Sequence, residues 1–323
     1  MERGVDVDNP RGETETPERA RRVRRLSMAP HHRRRRAVAL VSVGGLIMLA
    51  AIVVALVLGG TGAHRTAAPA HHGFTARARA LSAAQRLSPA AREAAAENAA
   101  INRTLAYTPY VRIAGAQHRE VALSFDDGPG PYTPDILSIL EREHVPATFF
   151  EVGVMERYFY ASTARIVADG DVIGDHTELH EPMSKLPAVK QRAQLLEQAV
   201  AIGRHGARFP RLFRPPFGLW NTATLALLHR YRMLMVLWTV DTNDYQRPGV
   251  MAIVKAAVAG ARPGAIILFH DAGGDRSQTV AALPKVIADL RRRGYALVTV
   301  PRLLLDNPAP RAQNIAAVLG TGG

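Results

Sequence analysis

The chain of 323 residues contains no cysteine. This absence excludes disulfides, thiolate nucleophiles and cysteine-ligated metal sites, and it fits a surface or secreted domain that avoids oxidation. Any metal site must therefore be built from histidine and carboxylate side chains. The length is enough for one large domain with appended segments.

No arginine run as long as the four at 33–36 occurs after residue 36. Residues 1–36 hold eleven arginines and six acidic residues, within a net charge of +13 for the chain. A basic tail can bind nucleic acid, but this one directly precedes an apolar run. We interpret it as a disordered cytoplasmic tail that sets topology and contacts anionic lipid, and we expect no nucleic-acid partner.

Residues 37–58 contain no charged side chain. A helix of this length would span about 33 Å, close to the hydrocarbon thickness of a bilayer. The arginines at 33–36 place residues 1–36 in the cytoplasm by the positive-inside rule. We therefore predict a single-pass protein of the cell membrane whose catalytic domain lies outside the cytoplasm. A cleaved signal peptide, with a poor cleavage site near residues 61–63, and a buried core helix are the alternatives.

Residues 59–117 are predicted to form an alanine-rich linker or stalk. Residues 59–73 are rich in Gly, Ala, Thr and His, which is typical of a flexible linker. His64, His71 and His72 have no nearby carboxylate and are interpreted as solvated. Ser88 and Pro89 predict an N-cap and first turn of a helix that serves as a spacer.

From residue 118 to residue 308, short apolar runs alternate with helix-like segments. One such segment carries Val189, Ala193, Leu196 and Val200 at helical spacing, and another runs from Val280 to a C-cap at Gly294. This alternation predicts an α/β domain with a parallel sheet closed, or nearly closed, into a barrel, followed by a flexible tail at 309–323. The seven predicted strands are 121–125, 147–152, 172–174, 212–214, 234–240, 265–269 and 296–300.

Ionisable residues follow five of these runs. Because the carboxyl ends of parallel barrel strands meet at one mouth, these residues predict an active site there. The residues are Asp126 and Asp127, Asp175 and His176, Arg214, Asp241, and His270 and Asp271.

Three groups among them have residue types suited to metal-assisted catalysis. Asp126 and Asp127 are adjacent, so one can hold a metal while the other handles a proton, although an Asp-rich turn is the alternative. His176 and His180 are four residues apart and, with an Asp, form a two-His-one-carboxylate set; surface histidines also show this spacing. His270 is either a core histidine or a general acid.

These residues lie in five ordered blocks that resemble the polysaccharide deacetylases of carbohydrate esterase family 4, also called the NodB homology domain. The resemblance covers about residues 120–305 and implies a distorted (β/α)7 barrel. The blocks are SFDDGP at 124–129, HTELH at 176–180, RPPFG at 214–218, DTNDY at 241–245 and LFH at 268–270.

The resemblance also implies a role for each site residue. Asp127, His176 and His180 would bind a divalent metal, Zn²⁺ first and Co²⁺, Fe²⁺ or Mn²⁺ as alternatives. The proton-transfer group would comprise Asp126 as base, Arg214 beside it, His270 as acid and Asp244 holding His270. The Phe217 N–H would stabilise the oxyanion, and Tyr245, Leu268 and Trp220 would wall the acetyl pocket. Phe217 and Tyr245 depart from the usual Tyr and Trp.

We expect a metal-dependent N-deacetylase of N-acetylglucosamine in cell-wall glycan, with peptidoglycan as the leading substrate and a monomeric catalytic domain. Chitin oligomers and acetylxylan are alternative substrates. A non-catalytic glycan-binding protein would need neither Asp126 nor His270. A DNA-binding or lipid-signalling protein acting through its arginine tail would not need residues 120–323.

Overall fold

The computed structural model describes residues 88–313, and within them the strands form one curled, parallel sheet. The spatial order is β1-β6-β5-β4-β3-β2-β8-β7, and β9 pairs with the start of β2. The strands are β1 Tyr110–Val111, β2 Glu120–Asp126, β3 Thr148–Glu151, β4 Val172–Asp175, β5 Leu212–Phe213, β6 Leu234–Val236, β7 Val240–Asp241, β8 Ala265–His270 and β9 Ala296–Leu297.

The predicted strand at 234–240 is divided in the structure. Its first half is β6, which pairs with β5 and β1, and its second half is β7, which pairs with β8 near the other end of the order. Residues 237–239 connect β6 to β7 and do not belong to a strand. The fold is therefore a parallel α/β half-barrel, consistent with the predicted distorted barrel. Strands β6 and β7 do not pair with each other and are joined only by the connecting residues.

Eight α-helices connect and cover the strands of the described part of the chain. The helices are α1 Pro89–Leu105, α2 Thr133–Glu143, α3 Glu156–Asp169, α4 Ala188–Gly203, α5 Thr222–Tyr231, α6 Val250–Gly260, α7 Ser277–Arg292 and α8 Val300–Asp306.

Alternation along β2 separates two cores and orients the site. Phe125 faces the helix layer, where its ring stacks on Phe149 and Phe269 in a core shared with α2, α6 and α7. Ala122 belongs to a second core, which includes buried residues of α1 and α8. Because successive side chains of a strand alternate between faces, Ser124 and Asp126 share the inner face with Ala122.

Part of the predicted stalk instead belongs to the folded unit. The Ser88 side chain accepts from the Ala91 N–H, as expected of the N-cap, but α1 then buries Ala100 and Ile101 and packs on α8. The predicted flexible tail also begins too early, because the Gln313 side chain accepts hydrogen bonds from the backbone at 112 and 113.

Helix α4 is present as predicted, but it buries a different face. Val189 and Val200, two residues of the predicted apolar stripe, are 80% and 57% exposed, whereas Gln191, Gln194 and Gln198 are buried. The side-chain amide nitrogen of each glutamine donates a hydrogen bond, to Leu186, Glu181 and Glu151 respectively. Periodicity of apolar residues alone could not identify this polar contact face.

The predicted disordered tail, membrane helix and linker histidines lie outside the described residues. Among residues 88–313, no helix is both long enough and apolar enough to cross a bilayer.

Candidate active site

The predicted site residues lie at the carboxyl ends of neighbouring strands. Asp126 ends β2 and is in register with His270, which ends β8. His176 follows β4 and Arg214 follows β5, and these two strands pair with each other. The parallel sheet thus brings residues separated by up to 144 positions in the sequence to one rim.

Asp127, His176 and His180 converge in a group suited to a metal ion. Each offers one ligand atom, and these atoms lie within 4.8 Å of one another. Asp127 Oδ1 is 3.1 Å from His180 Nε2 and 3.6 Å from His176 Nε2. Two imidazole nitrogens and one carboxylate are a donor set for Zn²⁺ and related divalent metals, so the residues present fit such an ion.

Backbone geometry and hydrogen bonds orient this group. Asp127, Thr177 and His180 all have positive φ angles, 74°, 71° and 55°, a conformation that costs free energy and persists only where the surroundings impose it. His176 Nδ1 lies 2.7 Å from the carbonyl oxygen of Arg214, which makes Nδ1 the donor and leaves Nε2 to face Asp127. Burial raises the pKa of Asp127, but hydrogen bonds from the two histidines hold it well below its usual range.

The two adjacent aspartates do not diverge as simple alternation would suggest. Asp126 Oδ2 is 3.7 Å from His176 Nε2, nearly the same distance as Asp127 Oδ1. The left-handed backbone of Asp127 turns its carboxylate to the same side as its neighbour. Their environments still differ, because Asp126 contacts Arg214 whereas Asp127 contacts His180.

Arg214 is fully buried beneath Asp126. Its Nη1 donates to Asp126 Oδ1 at 2.6 Å and to the Ser124 hydroxyl at 3.0 Å. Its Nε donates to the Val236 carbonyl, and its guanidinium lies 4.1 Å from the centre of the Phe150 ring. Burial lowers the pKa of Arg214, and the Asp126 carboxylate opposes that shift.

His270 is held by Asp244 on the opposite side of the site. His270 Nδ1 is 2.7 Å from Asp244 Oδ1, and the His270 backbone N–H donates to Asp244 Oδ2. Burial lowers the pKa of His270, but the hydrogen bond and charge of Asp244, with the charges of Asp127 and Asp126, raise it to about 9. His270 therefore resembles a proton donor more than a satisfied core histidine.

Two exposed aromatic rings flank these groups. The edge of Phe217, 57% exposed, lies against His180 with ring centres 4.7 Å apart. Tyr245, 41% exposed, lies against His270 with ring centres 5.2 Å apart. The structure thus brings one aromatic residue to each side of the site.

The other two predicted wall residues are placed deeper. Leu268 is buried in β8, between β2 and β7. Trp220 packs against the core cluster that contains Met183 and Phe213, and its indole N–H is buried without a hydrogen-bond partner in the described residues. A wall position for Trp220 therefore has no support from the contacts described.

Several residues that hold the site were missed by motif reasoning. Gln194 on α4 accepts a hydrogen bond from the Leu179 N–H within the histidine-bearing loop. Thr279 on α7 donates to Asp244. Gly273 packs so closely on the Asp127 carboxylate that any side chain there would collide with it. These residues lack a motif signal because their partners are distant in sequence.

Comparison with known proteins agrees with this geometry. Residues 114–236 match the family model described as polysaccharide deacetylase. A chitooligosaccharide deacetylase of Bradyrhizobium sp. is 38% identical over 57% of this chain and 90% of its own length. The chain belongs to the polysaccharide deacetylase family.

Further relatives of this polysaccharide deacetylase support the same assignment. A peptidoglycan-N-acetylglucosamine deacetylase of Bacillus cereus is 38% identical over 57% of this chain and 87% of its own. The solved structure of the Bc1960 peptidoglycan N-acetylglucosamine deacetylase has a TM-score of 0.60 at 30% identity, covering 65% of this chain and 97% of its own. The chain is accordingly an enzyme, a hydrolase of carbon–nitrogen bonds other than peptide bonds.

The family model ends at residue 236, before Asp244 and His270. The strand register places His270 beside Asp126, and hydrogen bonds place Asp244 beside His270.

Proposed function

We propose that this deacetylase hydrolyses the acetamide of N-acetylglucosamine in cell-wall peptidoglycan and releases acetate. The observation that carries the proposal is the arrangement of Asp126 and His270 on adjacent strands, beside the three metal-type donors. Binding of a glycan without hydrolysis would require neither a base nor an acid at these positions.

Asp127, His176 and His180 would hold the metal, for which Zn²⁺ is our proposal. When bound, a divalent cation supplies Lewis acidity, which polarises a carbonyl group and lowers the pKa of water. The histidine orientation set by the Arg214 carbonyl directs Nε2 of His176 into the same space as Asp127.

Asp126 would act as the general base. Arg214 occupies its Oδ1, and Oδ2 is left to accept a proton from the attacking water. The buried guanidinium fixes the orientation of the Asp126 carboxylate, so that the base is held where proton abstraction needs it.

His270 would act as the general acid. Because Asp244 engages Nδ1, the ring presents Nε2 to the nitrogen of the substrate amide. Water oxygen bonds to the carbonyl carbon, the carbon–nitrogen bond breaks, and the proton from His270 goes to the departing amine. The products are acetate and the free amino sugar. Asp126 then releases the proton that it took from water, and His270 takes up a proton from solvent, which returns both residues to their starting forms.

The remaining proposed roles concern substrate contacts. Following the family resemblance, the Phe217 N–H would donate to the oxyanion that develops on the carbonyl oxygen, a contribution of about 3 kcal/mol for one such donor. The rings of Phe217 and Tyr245 would bound the cleft on its two sides, with Leu268 at the base of the acetyl pocket. In this proposal these residues contact the substrate and take no part in proton transfer.

We also propose that the enzyme works outside the cytoplasmic membrane, anchored by residues 37–58. The support is the uncharged run and the arginines before it in the sequence. A tethered enzyme would reach glycan close to its own membrane. A reporter fused after Gly323 should be active only outside the cytoplasm, and a cytoplasmic signal would refute this topology.

The substrate is tested by measuring acetate released by the full chain, loaded with Zn²⁺, from three polymers side by side. We expect more acetate from N-acetylated peptidoglycan than from chitin oligomers or acetylxylan, with matching appearance of free amine. A preference for chitin oligomers would assign the activity to the other class named among the relatives. Release from none of them would reject the proposed function.

A further inference from the structure

Thr279 contacts Asp244, the residue that holds His270, from a helix outside the five sequence blocks. Its side chain is fully buried on α7, and its hydroxyl donates to Asp244 Oδ2 at 2.7 Å. In a helix a threonine hydroxyl commonly donates to its own preceding turn. Here it reaches a carboxylate 35 residues away instead.

Thr279 completes the set of donors to Asp244. Oδ2 accepts from the Thr279 hydroxyl and from the His270 backbone N–H, and Oδ1 is 2.7 Å from His270 Nδ1. Two donors fill the two lone pairs of Oδ2. The remaining oxygen, Oδ1, is therefore the one presented to the imidazole ring.

The backbone that carries Asp244 gives it little other support. Asp244 begins a three-residue 3-10 turn, and Asn243 before it and Arg247 after it both have positive φ angles. Helix α7, in contrast, is anchored in the core by Leu283 and Val286, both fully buried. The Thr279 hydroxyl thus ties a short surface-side turn to a rigid element, as precise placement of a reactive group requires.

We propose that Thr279 is a positioning residue for the proton donor: it fixes the Asp244 carboxylate so that Oδ1 holds the His270 ring in its reactive orientation. This inference rests on the proposed function in one respect, because it takes His270 to be the acid. The hydrogen bonds themselves do not depend on the substrate.

A matched control exists on α3. Thr163 is also fully buried, and its hydroxyl also lies 2.7 Å from a buried carboxylate, Glu156, with the Glu151 carboxylate at 3.2 Å. Glu156 begins α3 and is not among the proposed catalytic residues. Thr279→Val and Thr163→Val therefore each remove a buried hydroxyl from a carboxylate, whereas Thr279→Ser keeps the hydroxyl.

The test has two readouts on the full chain loaded with Zn²⁺. In deacetylation of an N-acetylglucosamine oligomer, Thr279→Val should lower kcat roughly tenfold with KM unchanged within about twofold, the pattern of a lost transition-state interaction. In nuclear magnetic resonance of histidine-labelled protein, the downfield signal of the His270 Nδ1 proton should shift upfield or disappear. Thr279→Ser and Thr163→Val should keep both properties.

A Thr279→Val enzyme that keeps the wild-type kcat and the Nδ1 proton signal, as Thr163→Val does, would overturn the proposal. Loss of activity in Thr279→Ser equal to that in Thr279→Val would also overturn it. If Thr279→Val does not fold, Thr279→Ala removes the same hydroxyl without adding a methyl group. If the wild-type enzyme deacetylates no N-acetylated glycan, the proposed function fails, while the Nδ1 signal still decides the positioning role.

Discussion

The guanidinium of Arg214 and the carboxylate of Asp126 form a buried ion pair, with Nη1 and Oδ1 2.6 Å apart. A buried pair of this kind is weak evidence for stability, because desolvation of both charges offsets their attraction. Arg214 is also bound by two backbone carbonyls and stacked on Phe150. The arrangement is therefore better explained by orientation of Asp126: Arg214 binds one carboxylate oxygen, and the other remains free to accept a proton.

Asp126→Asn should strongly slow deacetylation without loss of the metal. The amide keeps the size of the carboxylate and can still accept from Arg214, but it cannot take a proton from water. We expect kcat to fall about 10²- to 10⁴-fold, the range for loss of a general base. Bound zinc, measured by elemental analysis after dialysis, should stay near the wild-type ratio.

The matched control for this change is Asp135→Asn, at an exposed position on α2, which should keep wild-type kcat. Retained turnover in Asp126→Asn would contradict the role of Asp126 as base.

Removal of the metal, or of one ligand, should silence the enzyme. His180 is the more exposed of the two histidines proposed as ligands, and its Nε2 is 3.1 Å from Asp127 Oδ1. His180→Ala leaves two of three donors, so zinc affinity should fall by at least about 100-fold. Chelation should stop acetate release by the wild-type enzyme, and added Zn²⁺ should restore it.

His229→Ala, on the exposed face of α5, is the control and should bind zinc normally. An enzyme that works at the same rate in excess chelator, with no metal detected, would rule out metal assistance.

The sequence predicts which of the proposed catalytic residues lie together, because their proposed chemistry restricts both residue type and position. Asp126, His176 and His270 each follow an apolar strand, and parallel topology alone then brings them to one rim. The same reasoning could not divide the run at 234–240. The side chains of Leu234 and Val240 are apolar and buried in both halves, and only pairing with β5 or with β8 distinguishes them.

The contacts that position the site residues could not be predicted from the sequence for a different reason. Thr279 and Gln194 are ordinary helix residues whose partners, Asp244 and Leu179, are chosen by the tertiary fold. Because the contact face of α4 carries buried glutamines, the spacing of its apolar residues predicts the wrong buried face, the one with Val189 and Val200.

The pKa of His270 predicts how activity depends on pH. The Asp244 carboxylate is the largest of the influences that raise this pKa, and the result is about 9. A general acid must be protonated, so kcat should decline as the pH rises through about 9. Asp244→Asn removes that charge and lowers the pKa of His270, so the decline should begin at a lower pH, and kcat should also fall at neutral pH.

The measurement is kcat for an N-acetylglucosamine oligomer between pH 6 and pH 10, chosen as a range that brackets the ordinary histidine pKa of about 6.5 and the raised value. Asp135→Asn again serves as the control. An alkaline limb at the same pH in Asp244→Asn and wild type would show that Asp244 does not set the protonation of the acid.

Asp171, between α3 and β4, predicts a pH dependence of stability that is independent of the active site. Its Oδ1 accepts from the Ala147 N–H at 2.7 Å, and burial raises its pKa to about 7. In the unfolded chain the same group titrates near 3.9. Between these values the unfolded state binds fewer protons than the folded state, so the contribution of Asp171 to stability is complete at low pH and is lost as the pH rises toward 7.

Asp171→Asn removes this titration and retains an oxygen that accepts from Ala147. The variant and the wild type should have similar free energies of unfolding near pH 4, and the variant should be more stable by about 1 kcal/mol or more at pH 8. Other buried acids of raised pKa, such as Glu151 and Asp175, contribute equally to both proteins and cancel in the difference. Asp135→Asn, at an exposed position on α2 that does not affect the pKa of Asp171, should show no such divergence. A constant difference between Asp171→Asn and wild type from pH 4 to pH 8, measured by urea unfolding, would mean that Asp171 is ionised in the folded protein throughout this range.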